Sequence, residues 1–269
     1  MSFNLSVFLR ALNRFVFEEN RKKIIIAGCG RTGTSLLSAI IGAHPNVTAI
    51  DFETYAFVEI FSKNYRYNFF KKKYELLRLE YLKTRLENNV TSNLLCEKTP
   101  RNLYYINEIR ELYEGNVKFL LMIRNGRDVL TSKHPGQSEY YISMSRWISD
   151  TSLTLDICED DTNNDVMLVS YEGLINKLEL SVKQITDFLE IPYDKSMLEF
   201  SKHSTVKKHG AFHDGQVKDI YKTSSMRWKD TDHNERIAEI NNSKEVQKLL
   251  KRVDNKTTSL LKDLDSIKL

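Results

Sequence analysis

The sequence predicts an α/β fold, with a central parallel sheet flanked by helices, and three observations lead there. KIIIAG (23–28) is a short apolar run ending in glycine, the pattern of a strand buried on both faces. LLSAIIGAHP (36–45) follows one loop later with a helical pattern. It must end before Pro45, whose ring disfavours the α conformation in the residue ahead of it. Downstream, apolar runs keep alternating with amphipathic stretches. That order sets strands side by side and lays helices over both faces of the sheet.

The remaining elements follow in turn. Residues 55–88 carry long helical patterning without proline or glycine. NLLCEKT (93–99) reads as a short buried strand and NLYYINEIRELY (102–113) as a helix. VKFLLMI (117–123) is the clearest central strand, followed by a short helix after Asp128 and a long one over 138–158. In the long helix Met144, Trp147, Ile148 and Leu155 share a face. VMLVS (166–170) is another strand. LINKLELSVKQITDFLE (174–190) reads as one amphipathic helix with Leu174, Leu178, Ile185 and Leu189 inward. Residues 201–235, polar and without period, read as a functional loop. From 243 a helical pattern returns with Val246, Leu249, Leu250 and Val253. The expected organisation is a single domain over 1–269. It comprises an N-terminal helix (1–21), a catalytic core (22–235) with a lid loop (201–235), and a C-terminal helix (243–269).

Composition narrows the function. A hydrophobic content of 41% over 269 residues suffices for a full core. The net charge of +4 suits a small anionic ligand but is too weak to indicate nucleic acid. Cys29, Cys96 and Cys158 are too far apart for a metal or disulfide framework, so a reducing, cytoplasmic setting is expected. Cys29, although inside the first loop, reads as a small filler residue. No stretch approaches the roughly 18 apolar residues of a membrane span. Leu5, Phe8, Leu9, Leu12, Phe15 and Val16 form a helical stripe that predicts packing against the domain. Arg10 and Arg14 on its other side leave peripheral membrane contact as the second option. Oligomeric state is not readable.

The loop between the first strand and helix carries the chemistry. In AGCGRTGTS (27–35), Gly28 and Gly33 have the spacing of a phosphate-binding P-loop. Backbone N–H groups of Gly30, Arg31, Thr32, Gly33, Thr34 and Ser35 can converge on an anion, assisted by the dipole of the helix they open. Thr34, however, stands where a nucleotide triphosphatase has its lysine, and Arg31 is the loop's only cation. This points to a ligand whose reacting group is not a γ-phosphate held through magnesium. A degenerate triphosphatase loop or a structural turn stays open on this motif alone. A second constellation is RNGRDVLTS (124–132), where Arg124 and Ser132 can reach one phosphate. Arg127 and Asp128 there suit a weak surface ion pair.

GRTGTSLLSAIIGAHPNV, CEKTPRN, VKFLLMIRNGRDVLTS and LVSYEGL, in this order and spacing, resemble the sulfotransferase family over roughly residues 22–230. AHPNV, KFLLMIRNGRD and FLEIPYD are most similar to its tyrosylprotein sulfotransferase branch. The resemblance implies transfer of a sulfuryl group from 3′-phosphoadenosine 5′-phosphosulfate (PAPS), without a metal. The acceptor it implies is a hydroxyl, less commonly an amino group, on a tyrosine, glycan, lipid or small molecule. It further implies that the loop cradles the phosphosulfate with Arg31 near the transferring group. Arg124 and Ser132 would hold the 3′-phosphate, Tyr171 would lie near the nucleotide, and Lys98 would act in catalysis.

Two departures from the family stand out. Lys98-Thr99 is followed by Pro100, where many members have a histidine base. Glu53 of DFET (51–54) fills the place of the tyrosylprotein branch's glutamate if one residue is inserted, with Asp51 as its rival. In YKTSSMRWK (221–229), Lys222 and Arg227 are expected nucleotide contacts, although Thr223 replaces the usual glycine. For Trp228, core packing and ligand contact are both open. Lys71, Lys72, Lys73 and the basic positions 78, 83 and 85 read as a solvated helix face, or else as facing an acidic acceptor. His203, His209 and His213 fall on the lid without an argued role. The rival readings are a P-loop kinase or nucleotidase of similar topology and a non-catalytic nucleotide-binding module.

Overall fold

The computed structural model describes residues 4–17, 22–62, 68–87, 94–133, 138–206 and 225–266. Among these, five strands form a wholly parallel sheet: β1 (Lys23–Gly28), β2 (Val47–Ala49), β3 (Leu94–Lys98), β4 (Val117–Ile123) and β5 (Val166–Ser170). Their order is β2-β3-β1-β4-β5, so the loop-bearing strand is central. Because successive side chains point to opposite faces, β1 and β4 feed two cores. Ile25, Ala27, Phe119 and Leu121 pack with Trp147, Leu155 and Leu250 on one face. Ile24, Ile26, Leu120 and Met122 pack with Leu37, Ile185 and Leu189 on the other. Burial on both sides explains why these strands read as continuous apolar runs.

Helices supply the crossovers that parallel strands require. They are α1 (Leu5–Phe17), α2 (Thr34–Ile41), α3 (Ala56–Phe61), α4 (Asn68–Leu86), α5 (Ile106–Leu112), α6 (Gly126–Leu130), α7 (Met144–Glu159), α8 (Tyr171–Asn176), α9 (Leu178–Leu189), α10 (Phe200–His203), α11 (Asn234–Asn242) and α12 (Lys244–Ser266). Val246, Leu249, Leu250 and Val253 are the buried face of α12, as their spacing predicts. None of the described helices is long and apolar enough to cross a membrane.

Several expectations are corrected. β2 has no mark in the sequence, because three residues beside a proline turn make too short a run to stand out; it forms by pairing with β3. The predicted 174–190 helix is two, broken where Lys177 leaves helical geometry at φ −139° and ψ 51°, and Leu178 at the break is only partly buried. α7 starts at Met144 rather than 138, where the Ser143 side chain caps it by accepting from Arg146 N. The helix expected over 102–113 begins as a 3₁₀ turn, Pro100–Tyr105, ahead of α5. The expected 201–235 loop contains the end of α10 and the start of α11, and residues 207–224 lie outside the described residues. Lys222, Thr223, His209 and His213 go with them. His203 is exposed at the end of α10, 3.8 Å from Glu199.

The basic face assigned to α4 is also not uniformly solvated. Lys83 is fully buried, with Glu80 and Glu87 carboxylates 3.8 and 3.7 Å away, and Arg78 donates inward to the Thr54 carbonyl at 2.8 Å. Lys71 pairs with Glu59, while Arg85 is exposed. α1 packs on α4: Ala11 is buried and Arg14 meets Glu87 at 2.6 Å. Leu5, Leu9 and Val16 of its stripe remain exposed.

Candidate active site

All five strands run the same way, so their carboxyl ends form one edge, where ligands gather in sheets of this type. Gly28, Lys98, Ile123 and Ser170 end β1, β3, β4 and β5 there. The residues just beyond them build the site. Gly28, at φ 136°, lets the end of β1 pass β4; a Cβ would lie 2.8 Å from the Met122 carbonyl oxygen. Gly33, at φ 100°, caps α2, and a Cβ there would lie 2.5 Å from the Tyr171 ring. The glycine spacing thus reports two close approaches, each at a positive φ that glycine adopts without strain. Thr32 donates from its hydroxyl to the Cys29 carbonyl at 2.7 Å, bracing the loop. Thr34 and Ser35 begin α2. Cys29 is a buried filler whose thiol is pushed up by burial and by Asp150.

The cations converge beside this loop. Arg31 Nε donates to Ser132 Oγ at 2.7 Å, and Arg124 Nη1 donates to the Arg31 carbonyl at 3.1 Å. The Arg124 guanidinium lies 4.2 Å from the centre of the Tyr171 ring. Burial, Arg124 and Arg227 hold Arg31 below the ordinary arginine range, against an opposing pull from Tyr141. Gathered like charges of this kind are stabilised by an anion supplied from outside. The predicted set Arg31, Arg124, Ser132, Tyr171 and Arg227 is therefore brought together around a glycine-lined cradle, a fit for a phosphate-bearing ligand. Arg31, expected near the reacting group, is turned toward Ser132 in this structure.

The expected Arg127–Asp128 pair is absent. Neighbouring positions on a helix do not face each other. Buried Asp128 instead accepts from Met226 N at 3.1 Å and lies 3.9 Å from Arg124 Nη2. It thereby anchors the 3₁₀ turn Arg227–Lys229 over the sheet edge. Arg127 faces Asp254 at 3.7 Å and the Trp228 ring at 5.4 Å. Trp228 is half-buried between Arg127 and Lys229.

A second cluster stands at the end of β3. Buried Lys98 donates to Glu53 Oε1 at 2.9 Å, and the Tyr55 hydroxyl donates to Glu53 Oε2 at 3.0 Å. Glu53 is half-exposed at the rim. The rival Asp51 is not part of this cluster; burial raises its pKa, and Arg85 is the cation acting against that rise. Glu97 explains the placement of Glu53. It is fully buried and accepts from the Thr54 and Thr99 hydroxyls at 2.6 Å each, from Asn102 Nδ2 at 2.5 Å, and from Thr54 N at 3.4 Å. These bonds tie the segment carrying Glu53 to β3, which carries Lys98. Burial still raises the Glu97 pKa, with the Thr54, Thr99 and Asn102 bonds opposing it.

Tyr141 joins the two clusters. Its ring centre is 5.5 Å from the Arg31 guanidinium, and its N–H donates to the Ser132 carbonyl at 2.8 Å. It also interacts electrostatically with Tyr55. Sequence reasoning missed Tyr55, Glu97 and Tyr141. A glutamate inside the apolar strand NLLCEKT was a signal for the second; nothing in the sequence marked the other two.

Comparison with known proteins extends this geometry. The family model described as the sulfotransferase family matches residues 23–195. Protein-tyrosine sulfotransferase A of Caenorhabditis elegans is 27% identical over 197 residues, covering 65% of this chain and 51% of that protein. Protein-tyrosine sulfotransferase of Drosophila melanogaster is 28% identical over 212 residues, covering 69% and 42%. The chain spans about half the length of these curated relatives. Among solved structures, the sulfotransferase domain of the Synechococcus olefin synthase aligns with a TM-score of 0.54 at 16% identity, over 83% of this chain and 95% of that one. The sulfotransferase domain from the curacin biosynthetic pathway gives 0.50 at 15% identity, over 87% and 97%. At such identities these structures speak to the fold alone. The family match covers more than half of the chain, taking in β1 through α9 and nearly every residue of both clusters. The chain belongs to the sulfotransferase family.

Proposed function

We propose that the protein moves a sulfuryl group from PAPS to an acceptor hydroxyl, with a protein tyrosine as the acceptor class. The observation that carries the reading is the division of the sheet edge. One side gathers like-charged guanidinium groups around a glycine loop. The other holds a carboxylate matched to a lysine. The first suits the phosphates of PAPS, whose 5′-phosphosulfate carries the group to be transferred. The second suits a neutral hydroxyl that must lose its proton. The relatives named protein-tyrosine sulfotransferase favour tyrosine.

In this mechanism Glu53 accepts the acceptor proton as oxygen attacks sulfur, since an un-ionised hydroxyl is a poor nucleophile at neutral pH. The sulfur–oxygen bond to the 5′-phosphate breaks, and charge develops on the departing phosphate oxygen. Lys98, and Arg31 once it turns from Ser132, stabilise that charge preferentially in the transition state. Arg124, Ser132 and Arg227 hold the 3′-phosphate throughout. The test is calorimetry together with labelled transfer. Adenosine 3′,5′-bisphosphate should bind without magnesium and far more tightly than 5′-AMP, and label from PAPS should pass to tyrosine peptides. Equal affinity for ATP, or a strict magnesium requirement, would sink the reading.

A further inference from the structure

Tyr55 is one of the strained residues of the site, with Arg31 and Met226, which also have positive φ. Its backbone is left-handed, at φ 56° and ψ 13°, where a bulky L-residue is a genuine outlier. Such conformations persist only where surrounding contacts over-determine them, and they collect at functional sites. The contacts are specific here. Tyr55 N donates to Thr99 Oγ1 at 3.3 Å, and the Tyr55 carbonyl accepts from Glu59 N at 2.8 Å. The preceding Thr54 is held by Glu97 and by Arg78. The result is that the Tyr55 phenol folds back onto Glu53 Oε2.

That oxygen is the informative one. Glu53 Oε1 is taken by Lys98, which leaves Oε2 to receive a proton from an attacking hydroxyl. The group now resting on Oε2 is itself a phenol. Burial and the Glu53 charge both raise the Tyr55 pKa. It therefore stays protonated and donates, as an acceptor hydroxyl does before transfer. The ring is partly exposed and near Tyr141, the residue that reaches Arg31. Tyr55 is thus at the junction of the two clusters rather than on a remote surface.

We infer that the Tyr55 phenol is the resident occupant of the acceptor-hydroxyl position, which an incoming acceptor must displace from Glu53. The inference rests on the reading of Glu53 as the base. It makes Tyr55 a specificity-determining residue: only a hydroxyl that donates to the carboxylate at least as well as a phenol replaces it readily. Phenols are then favoured over alkyl alcohols, and wild-type affinity for any phenol is lowered by an internal competitor.

The experiment uses the full chain saturated with adenosine 3′,5′-bisphosphate and titrated with p-nitrophenol, followed by steady-state transfer to the same phenol. Removing a competing hydrogen bond in Tyr55→Phe should tighten phenol binding about three- to tenfold. The gain should appear as a lower KM and a higher kcat/KM. Tyr55→Gly, which accepts the left-handed backbone without strain, should shift affinity the same way and guards against a folding defect in the first variant. Weaker or equal phenol binding in both variants, with the bisphosphate still bound, overturns the inference and leaves the sulfotransferase reading standing. Failure of the bisphosphate to bind the wild-type protein overturns both.

Discussion

The two clusters at the sheet edge handle charge in opposite ways. Around the glycine loop, burial and then the charges of Arg124 and Arg227 hold Arg31 below the ordinary arginine range, and Asp128, 3.9 Å from Arg124, also accepts from Met226 N. At the end of β3, Lys98 and Glu53 neutralise each other within hydrogen-bond distance. The first arrangement is rich in positive charge, which suits an occupant that brings negative charge. The second is already balanced, so its occupant is neutral and exchanges a proton. On the proposed reading, charge balance, more than cleft shape, divides this site into a donor half and an acceptor half.

The largest expected effect breaks the acceptor half. Glu53→Gln should lower turnover by about 10²–10⁴-fold, the usual contribution of a general base. The affinity for adenosine 3′,5′-bisphosphate, read by calorimetry, should persist. If Glu53→Gln retained full single-turnover transfer, the base would be elsewhere and the comparison would lose its second half.

A smaller effect is expected in the donor half. Arg124→Ala removes a charge-assisted contact worth about 1.5–3 kcal/mol. It should weaken bisphosphate binding roughly tenfold to a hundredfold, and the loss should shrink as salt is added. The double variant Glu53→Gln/Arg124→Ala sharpens the division: effects on distinct functions should add, whereas strong non-additivity would mean one coupled site.

The smallest effect concerns the carboxylate beneath the acceptor half. Burial raises the folded-state pKa of Glu97 above its ordinary value of 4.5. The native state therefore binds that proton more tightly than the unfolded chain. The resulting stability is fully present below the ordinary glutamate pKa and is lost as pH rises through the folded value. Subtracting the Tm of Glu97→Gln from that of the wild type isolates this contribution. The difference should be greatest in acid and shrink as pH climbs above about 4.5. A difference that grows with pH would mean that the Thr54, Thr99 and Asn102 bonds outweigh burial.

Much of the fold and the donor half was readable from the chain, because both are local. The strand–glycine loop–helix unit depends on contiguous residues, and a buried parallel strand announces itself as an apolar run. β1, β4 and β5 are bounded by the same residues that the sequence marks. Gly28, Arg31 and Gly33 share one loop, and Arg124 and Ser132 are eight residues apart after one strand. Lys177 shows where local reading fails: the amphipathic period runs straight through 174–190, but backbone geometry breaks the helix there.

By itself, the sequence determined the class of fold, the central strand with its phosphate loop, and the cations that ring it. Each of these follows from periodicity, glycine placement and residue type within a short window. Only the tertiary structure decided that Glu53, rather than Asp51, meets Lys98, that Asp128 serves Met226 rather than Arg127, and that Arg31 leans on Ser132. It also decided that Lys83 is buried and that the Tyr55 hydroxyl rests on Glu53. The physical reason is that charges and hydroxyls act over a few ångströms in any direction. Their partners are set by which strands and helices are adjacent in space, and 45 residues separate Glu53 from the lysine it meets.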